Sequence, residues 1–103
     1  MSEVVITAEN FQAEVLQSEK PVLIDFWATW CGPCMMLGPI VAEIAREHPE
    51  LKVCKVNVDE QPALASAFGV SSIPMIAVIK DGKLTAKTVG YQPKEQLLAL
   101  LEK

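Results

Sequence analysis

No stretch of this chain approaches the roughly 20 consecutive apolar residues that a membrane helix requires; its longest apolar runs have the length of strands. Basic clusters are missing too. Nine Lys and Arg stand against thirteen Asp and Glu, a formal net charge of −4, with no basic run that could track phosphates, which argues against a nucleic-acid partner and disfavours anionic membranes. There is no Pro-, Gly- or Ser-rich tract and no internal repeat, which argues against linkers and disordered segments. Cysteine occurs three times and histidine once, so Cys54 and His48 are all that could complete a zinc site begun by another cysteine pair, and they form no second pair. Met1-Ser2-Glu3 runs straight into Val4-Val5-Ile6, without a basic start, a longer apolar stretch or a small-residue cleavage site. The expectation from these absences is a soluble cytoplasmic protein with no nucleic-acid or membrane partner.

What is present is a chain of 103 residues, half of them hydrophobic, long enough to bury roughly two thirds of its unfolded surface. One domain over residues 1–103 is expected. Val4 to Ile6 reads as a short strand, followed by a helix carrying Phe11 and Val15 that either Thr7 or Asn10 can cap. Pro21 opens Val22-Leu23-Ile24-Asp25-Phe26-Trp27, whose nearly continuous apolarity places it at the centre of a sheet covered on both faces. A helix with Leu37, Ile40, Val41 and Ile44 at helical spacing runs to His48-Pro49, with Pro39 expected to bend it. Leu51 to Val58 is the next strand, and alternation of strands and helices to this point implies parallel strands with right-handed crossovers. Asp59 is expected to cap a short helix through Ala63, Leu64 and Phe68 that Gly69 ends. Met75 to Lys80 and Leu84 to Val89 then form a hairpin around Asp81-Gly82, and Pro93 starts a last helix with Leu97, Leu98 and Leu101. The fold class is α/β, a mixed sheet with helices on both faces.

Trp30-Cys31-Gly32-Pro33-Cys34 stands between the central strand and the following helix. Two cysteines two residues apart can close a small reversible disulfide, and a helix N-terminus beside them supplies partial positive charge that favours a thiolate. Cys31 precedes the helix proper and Cys34 falls in its first turn, so Cys31 is expected to be the exposed, attacking sulfur and Cys34 the shielded, resolving one. Pro33 suits the first turn because its missing N–H would lack a partner there anyway. Asp25 is the odd residue of an apolar strand, and burial should raise its pKa. The plainer reading of Asp25 is a carboxylate held by Lys55 or by backbone groups. Cys54 reads as a small buried hydrophobe, and His48 as a cation at a helix end.

Asp25-Phe26-Trp27-Ala28 leading into Trp30-Cys31-Gly32-Pro33-Cys34, together with Pro39, Lys55-Val56-Asn57-Val58-Asp59, Ile73-Pro74 and Val89-Gly90, resembles the thioredoxin family over essentially the whole chain. The resemblance implies a thioredoxin fold, a five-stranded mixed sheet flanked by four helices, in a monomeric protein-disulfide reductase with Cys31 and Cys34 as its redox-active disulfide and no cofactor. It further implies that Asp25, with Lys55 as neighbour, accepts the proton of Cys34 through water. Pro74 would be cis and pack against the dithiol, Ile73 would pair with an extended substrate segment, Gly90 would form the opposite wall, and Trp30 would edge the site. Implied partners are an NADPH-dependent, flavin-containing thioredoxin reductase, and targets such as ribonucleotide reductase, peroxiredoxins and methionine sulfoxide reductases. Met35 stands where the family commonly has a basic residue, Gly38 where alanine is frequent, and Met75 where threonine is common. The rim is thereby softer and more apolar, which bears on partner preference. Three other readings compete: half of a zinc motif, a binding subunit that needs the shape and not the sulfurs, and an oxidase or isomerase of different redox poise. Gly32-Pro33 between the cysteines favours the reductant.

Overall fold

The computed structural model describes residues 3–103. Five strands, β1 (Glu3–Val5), β2 (Val22–Trp27), β3 (Lys52–Asn57), β4 (Met75–Lys80) and β5 (Lys83–Val89), form one sheet in the order β1-β3-β2-β4-β5. β3 pairs parallel with both β1 and β2, while β4 is antiparallel to β2 and to β5. Parallel neighbours require crossovers. β1 reaches β2, two places across the sheet, through a π-helical turn, Gln12–Leu16, and β2 reaches its neighbour β3 through the long helix α1 (Gly32–Glu47). After α2 (Pro62–Ala67) the chain turns back as the β4-β5 hairpin and closes with α3 (Lys94–Leu100).

β2 lies in the middle, as its unbroken apolarity requires, and Val22 to Phe26 are all buried. Alternation along the strands divides the core into two layers. Ile24 and Phe26 join Val15, Cys54, Val56 and Ala77 on one face, where Phe68 stacks at 5.0 Å from the Phe26 ring and meets Phe11 edge-on at 5.8 Å. Leu23, Val53 and Ile76 face the other way, against Leu37, Val41 and Ile44 of α1 and Leu97 of α3. The hairpin needs positive φ at both turn residues, and Asp81 (53°) and Gly82 (77°) supply it. A side chain at Gly82 would also bring its Cβ to 3.2 Å from the Leu16 carbonyl oxygen.

Three local expectations are corrected. Neither Thr7 nor Asn10 caps the first helical segment with its side chain; Asn10 instead accepts from the Thr7 N–H at 2.8 Å and donates to the Val5 carbonyl at 2.9 Å, stapling the β1 exit. That segment is a single π turn rather than an α-helix. Asp59 does not cap α2. Its backbone N–H donates to the Asn57 side chain at 2.9 Å, and its carboxylate is engaged by Trp30. Pro39 sits inside α1, which continues as helix on both sides of it.

Gly38 occupies the interior of α1, and a Cβ there would meet only Lys55 Nζ, at an ordinary 3.9 Å. Glycine costs about 0.8–1 kcal/mol against alanine inside a helix. Gly38→Ala is therefore expected to stabilise the protein by on the order of 0.5–1 kcal/mol in denaturant unfolding, and a loss of stability would mean that the helix packs more tightly there than the structure shows.

Candidate active site

β2 delivers the chain directly to the site: after Trp27 only Ala28, Thr29 and Trp30 separate the strand from Cys31, the N-cap of α1. Cys31 and Cys34 form a disulfide with their Cα atoms 5.3 Å apart. The Cys34 N–H donates to Cys31 Sγ at 3.2 Å, so the Cys31 sulfur takes the place of a capping oxygen. Negative charge on Cys31 is thus met by an amide donor and by the positive end of a 16-residue helix. Cys34 lies on the buried stripe of α1 with Leu37, Val41 and Ile44. The expected contrast in exposure is slight with the disulfide closed: Cys31 is 5% exposed and Cys34 2%.

Gly32 and Pro33 take the first two helical positions, both exposed. A side chain at Gly32 would touch nothing within 4 Å, so nothing inside the chain demands glycine there.

The loop before β4 closes the other side. Ile73-Pro74 is a cis peptide bond, and the Ile73 carbonyl oxygen lies 3.8 Å from Cys31 Sγ. Pro74 accepts a hydrogen bond from the Gly90 N–H at 2.7 Å, which ties the end of β5 to this loop, and Gly90 has φ of 97°, a value that side-chain-bearing residues rarely adopt. Trp30 is 69% exposed, a large apolar side chain left in solvent, yet it is held in place: its indole N–H donates to Asp59 Oδ2 at 2.9 Å. Between Trp30 and the loop runs a groove of about 400 Å³, lined by Val58, Ala65, Val70 and Ile73 among others. Met35 and Met36 follow Cys34 in α1 and are both exposed.

Asp25 and Lys55 are register partners on β2 and β3. Asp25 is 1% exposed, and neither carboxylate oxygen has a hydrogen-bond partner among the described residues; Lys55 Nζ stands 3.5 Å from Oδ2 and 4.8 Å above the Trp27 ring. Burial pushes the Asp25 carboxyl up to about 6, with Lys55 opposing the rise and the Glu3 carboxylate adding to it. The plainer expectation is met in part: Lys55 pairs with the carboxylate at 3.5 Å, while no backbone group donates to it and neither oxygen has a hydrogen bond among the described residues. Asp25 makes no direct hydrogen bond to either sulfur. Cys54 is fully buried on the other face of the sheet, its thiol pushed up to about 12 by burial, and His48 caps α1 with Nδ1 2.9 Å from Glu50. Among the described residues no group of three or more His, Cys, Asp and Glu is placed to hold a metal ion, and no helix is long and apolar enough to cross a membrane.

Chemistry-bearing residues widely spaced in the sequence thus converge: Cys31, Cys34 and Pro74 buried just under a rim formed by Trp30, Ile73 and Gly90, with Asp25 and Lys55 paired on the central strands β2 and β3. The sequence did not point to Val58, Ala65 or Val70 as groove walls or to Asp59 as the anchor of Trp30, since none carries a local pattern beyond strand end, short helix or cap. A dithiol held this way by a rigid helix start performs thiol–disulfide exchange, and fold and site together define a thiol–disulfide oxidoreductase. The family model described as Thioredoxin matches residues 2–103. The chain is 50% identical over 97 residues to "Thioredoxin" of Alicyclobacillus acidocaldarius subsp. acidocaldarius, covering 93% of this chain and 91% of that protein. It is 48% identical over 99 residues to "Thioredoxin 1" of Synechococcus elongatus, covering 95% and 92%, and 45% identical over 98 residues to "Thioredoxin" of Pseudomonas aeruginosa, covering 94% and 91%. The chain belongs to the thioredoxin family.

Proposed function

We propose that this protein is a single-domain, monomeric, cytoplasmic electron carrier that reduces disulfides of many target proteins through Cys31 and Cys34. The observation that carries the reading is the Cys31 sulfur, placed at the helix start, bonded to the Cys34 N–H and facing the Ile73 carbonyl. In the forward step the Cys31 thiolate attacks one sulfur of a target disulfide, forming a mixed disulfide and expelling the other target sulfur as thiolate. Cys34, once deprotonated, attacks the Cys31 sulfur, closes the internal disulfide and releases the second target thiolate. Two electrons pass to the target and no cofactor is needed.

Acidity alone contributes little to this rate. Lowering a thiol pKa by one unit raises its thiolate fraction at neutral pH by up to about 10-fold, and a Brønsted slope near 0.45 takes back about threefold. Positioning supplies the rest. Ile73 pairs through its backbone with an extended target segment, Pro74 and Gly90 wall it in, and Trp30 borders the groove that receives the neighbouring target side chains. Asp25, ionised above about pH 6 and paired with Lys55, accepts the Cys34 proton through water. Reduction of the spent disulfide by an NADPH-dependent flavoprotein, thioredoxin reductase, completes the cycle. Ribonucleotide reductase, peroxiredoxins and methionine sulfoxide reductases are the expected classes of target.

The test is disulfide reduction in a bonded test protein. Cys31→Ser/Cys34→Ser, which keeps the surface and removes the electrons, is expected to fall to the background rate. Retained activity in the double variant would transfer the function to the surface alone, as in a binding subunit.

A further inference from the structure

Glu3 is the charged residue of β1. Its register partner on β3 is Val53; two residues on, Val5 pairs with Lys55, which pairs in turn with Asp25 on β2. Side chains return to one face every second residue, so Glu3, Lys55 and Asp25 share the face of the sheet that α1 and α3 cover. Val4 packs into the opposite layer, which fixes this orientation. Glu3 Oε2 is buried and has no hydrogen-bond partner among the described residues. Glu3 as a whole is half-buried on an edge strand, so one carboxylate oxygen is shut off from water while the residue keeps contact with solvent, which screens part of its field.

We propose that Glu3 is a positioning residue for the dithiol site: from the edge strand, across β3 and on the same face of the sheet, its carboxylate counters part of the attraction of Lys55 for Asp25 and so adjusts the proton transfer that Asp25 performs. The functional consequence rests on the reading of Asp25 as the proton acceptor of Cys34. Charged groups facing Asp25 are Lys55 from β3 and Glu3 from β1. Its partner on β4 is the apolar Ile76, the buried stripe of α1 offers Cys34, disulfide-bonded to Cys31, beside Leu37, Val41, Ile44 and Ala45, and α3 buries Leu97. Of the two charges, Lys55 and Glu3 act in opposite directions, so removing either moves Asp25 predictably. β1 is an edge strand, which makes Glu3 replaceable without disturbing the central strands.

The experiment follows the Asp25 carboxyl directly, by carbon NMR of labelled aspartate in the reduced protein, in Glu3→Gln, which keeps the shape, and in Glu3→Lys, which inverts the charge. The Asp25 midpoint, about 6 in the parent, is expected to fall by on the order of half a pH unit in Glu3→Gln and further in Glu3→Lys. The pH profile of mixed-disulfide release should move with it. A packing role would not order the variants by charge. An Asp25 midpoint unchanged in Glu3→Gln overturns the proposal, and a rise would do the same. A midpoint that falls while the release profile stays fixed supports the action of Glu3 on Asp25 and removes Asp25 from the proton transfer instead.

Discussion

Cys34→Ser is expected to convert a turning-over reductase into a trap. Cys31 still attacks, since its sulfur keeps the helix start and the amide of residue 34, so one target molecule accumulates per chain as a mixed disulfide visible by intact mass. Release then depends on thiols from solution. A well-oriented internal nucleophile has an effective concentration of at least ~10⁵ M, so millimolar external thiol is a poor substitute and turnover should drop by more than about 10³-fold. Cys31→Ser gives the opposite picture, with no adduct and no turnover. The asymmetry follows from the fold: Cys34 faces the packed stripe of α1, whereas Cys31 caps it beside Ile73. A stable adduct on Cys34 in Cys31→Ser, or turnover near parent level in Cys34→Ser, would reverse the roles of the sulfurs.

The second large effect is thermodynamic. Asp25 has its carboxyl raised from 3.8 to about 6 by burial. Below the unfolded value both states hold the proton and the group is neutral in the stability balance. As pH rises from about 4 to about 6 the unfolded chain ionises while the folded one resists, so stability is lost across that window and the loss levels off above it. A shift of about two units corresponds to about 3 kcal/mol at neutral pH. Asp25→Ala should therefore gain about 2–3 kcal/mol at pH 7, a small cavity cost being taken from the full figure, and gain nothing at pH 4. The same variant is expected to slow release of the mixed disulfide by about 10²-fold, the lower end for a positioned base. Denaturant unfolding at both pH values and a single-turnover release assay measure the two halves. Equal stability at pH 7 would mean that Asp25 is solvated or partnered in solution. Equal release rates would take it out of the mechanism.

This opposition between stability and rate is why Asp25 stands out in the sequence: a lone carboxylate in Val22-Leu23-Ile24-Asp25-Phe26-Trp27 contradicts the pattern around it, and such contradictions mark function. The central strand, the hairpin at Asp81-Gly82 and the helix opened by Cys31 were readable because each has a local cause: continuous apolarity, two positive-φ positions, and a cap followed by proline. What was not readable is set by contacts distant along the chain. Asp59 looks like a cap, but the Trp30 indole, 29 residues away in sequence, takes its carboxylate. Asn10 looks like a cap as well, yet the Val5 carbonyl at the end of β1 holds its amide. The groove walls Val58 and Val70 are ordinary strand-end and loop residues until β3 and the Ile73-Pro74 loop are brought side by side. Glu3 stands just before the strand expected at Val4, and only the register of β1 on β3 places it on the face of Asp25.

The central claim, that Cys31 and Cys34 form a reducing dithiol, is tested most directly by equilibrating the protein with defined thiol–disulfide buffers and counting free thiols by mass after trapping. Each 30 mV corresponds to about 1.4 kcal/mol for a two-electron couple, so the roles separate cleanly. One two-electron transition well below the glutathione poise is expected, with Cys54, buried and with its thiol pushed up to about 12, taking no part. A transition in the range of protein disulfide isomerases, or none at all, would contradict it.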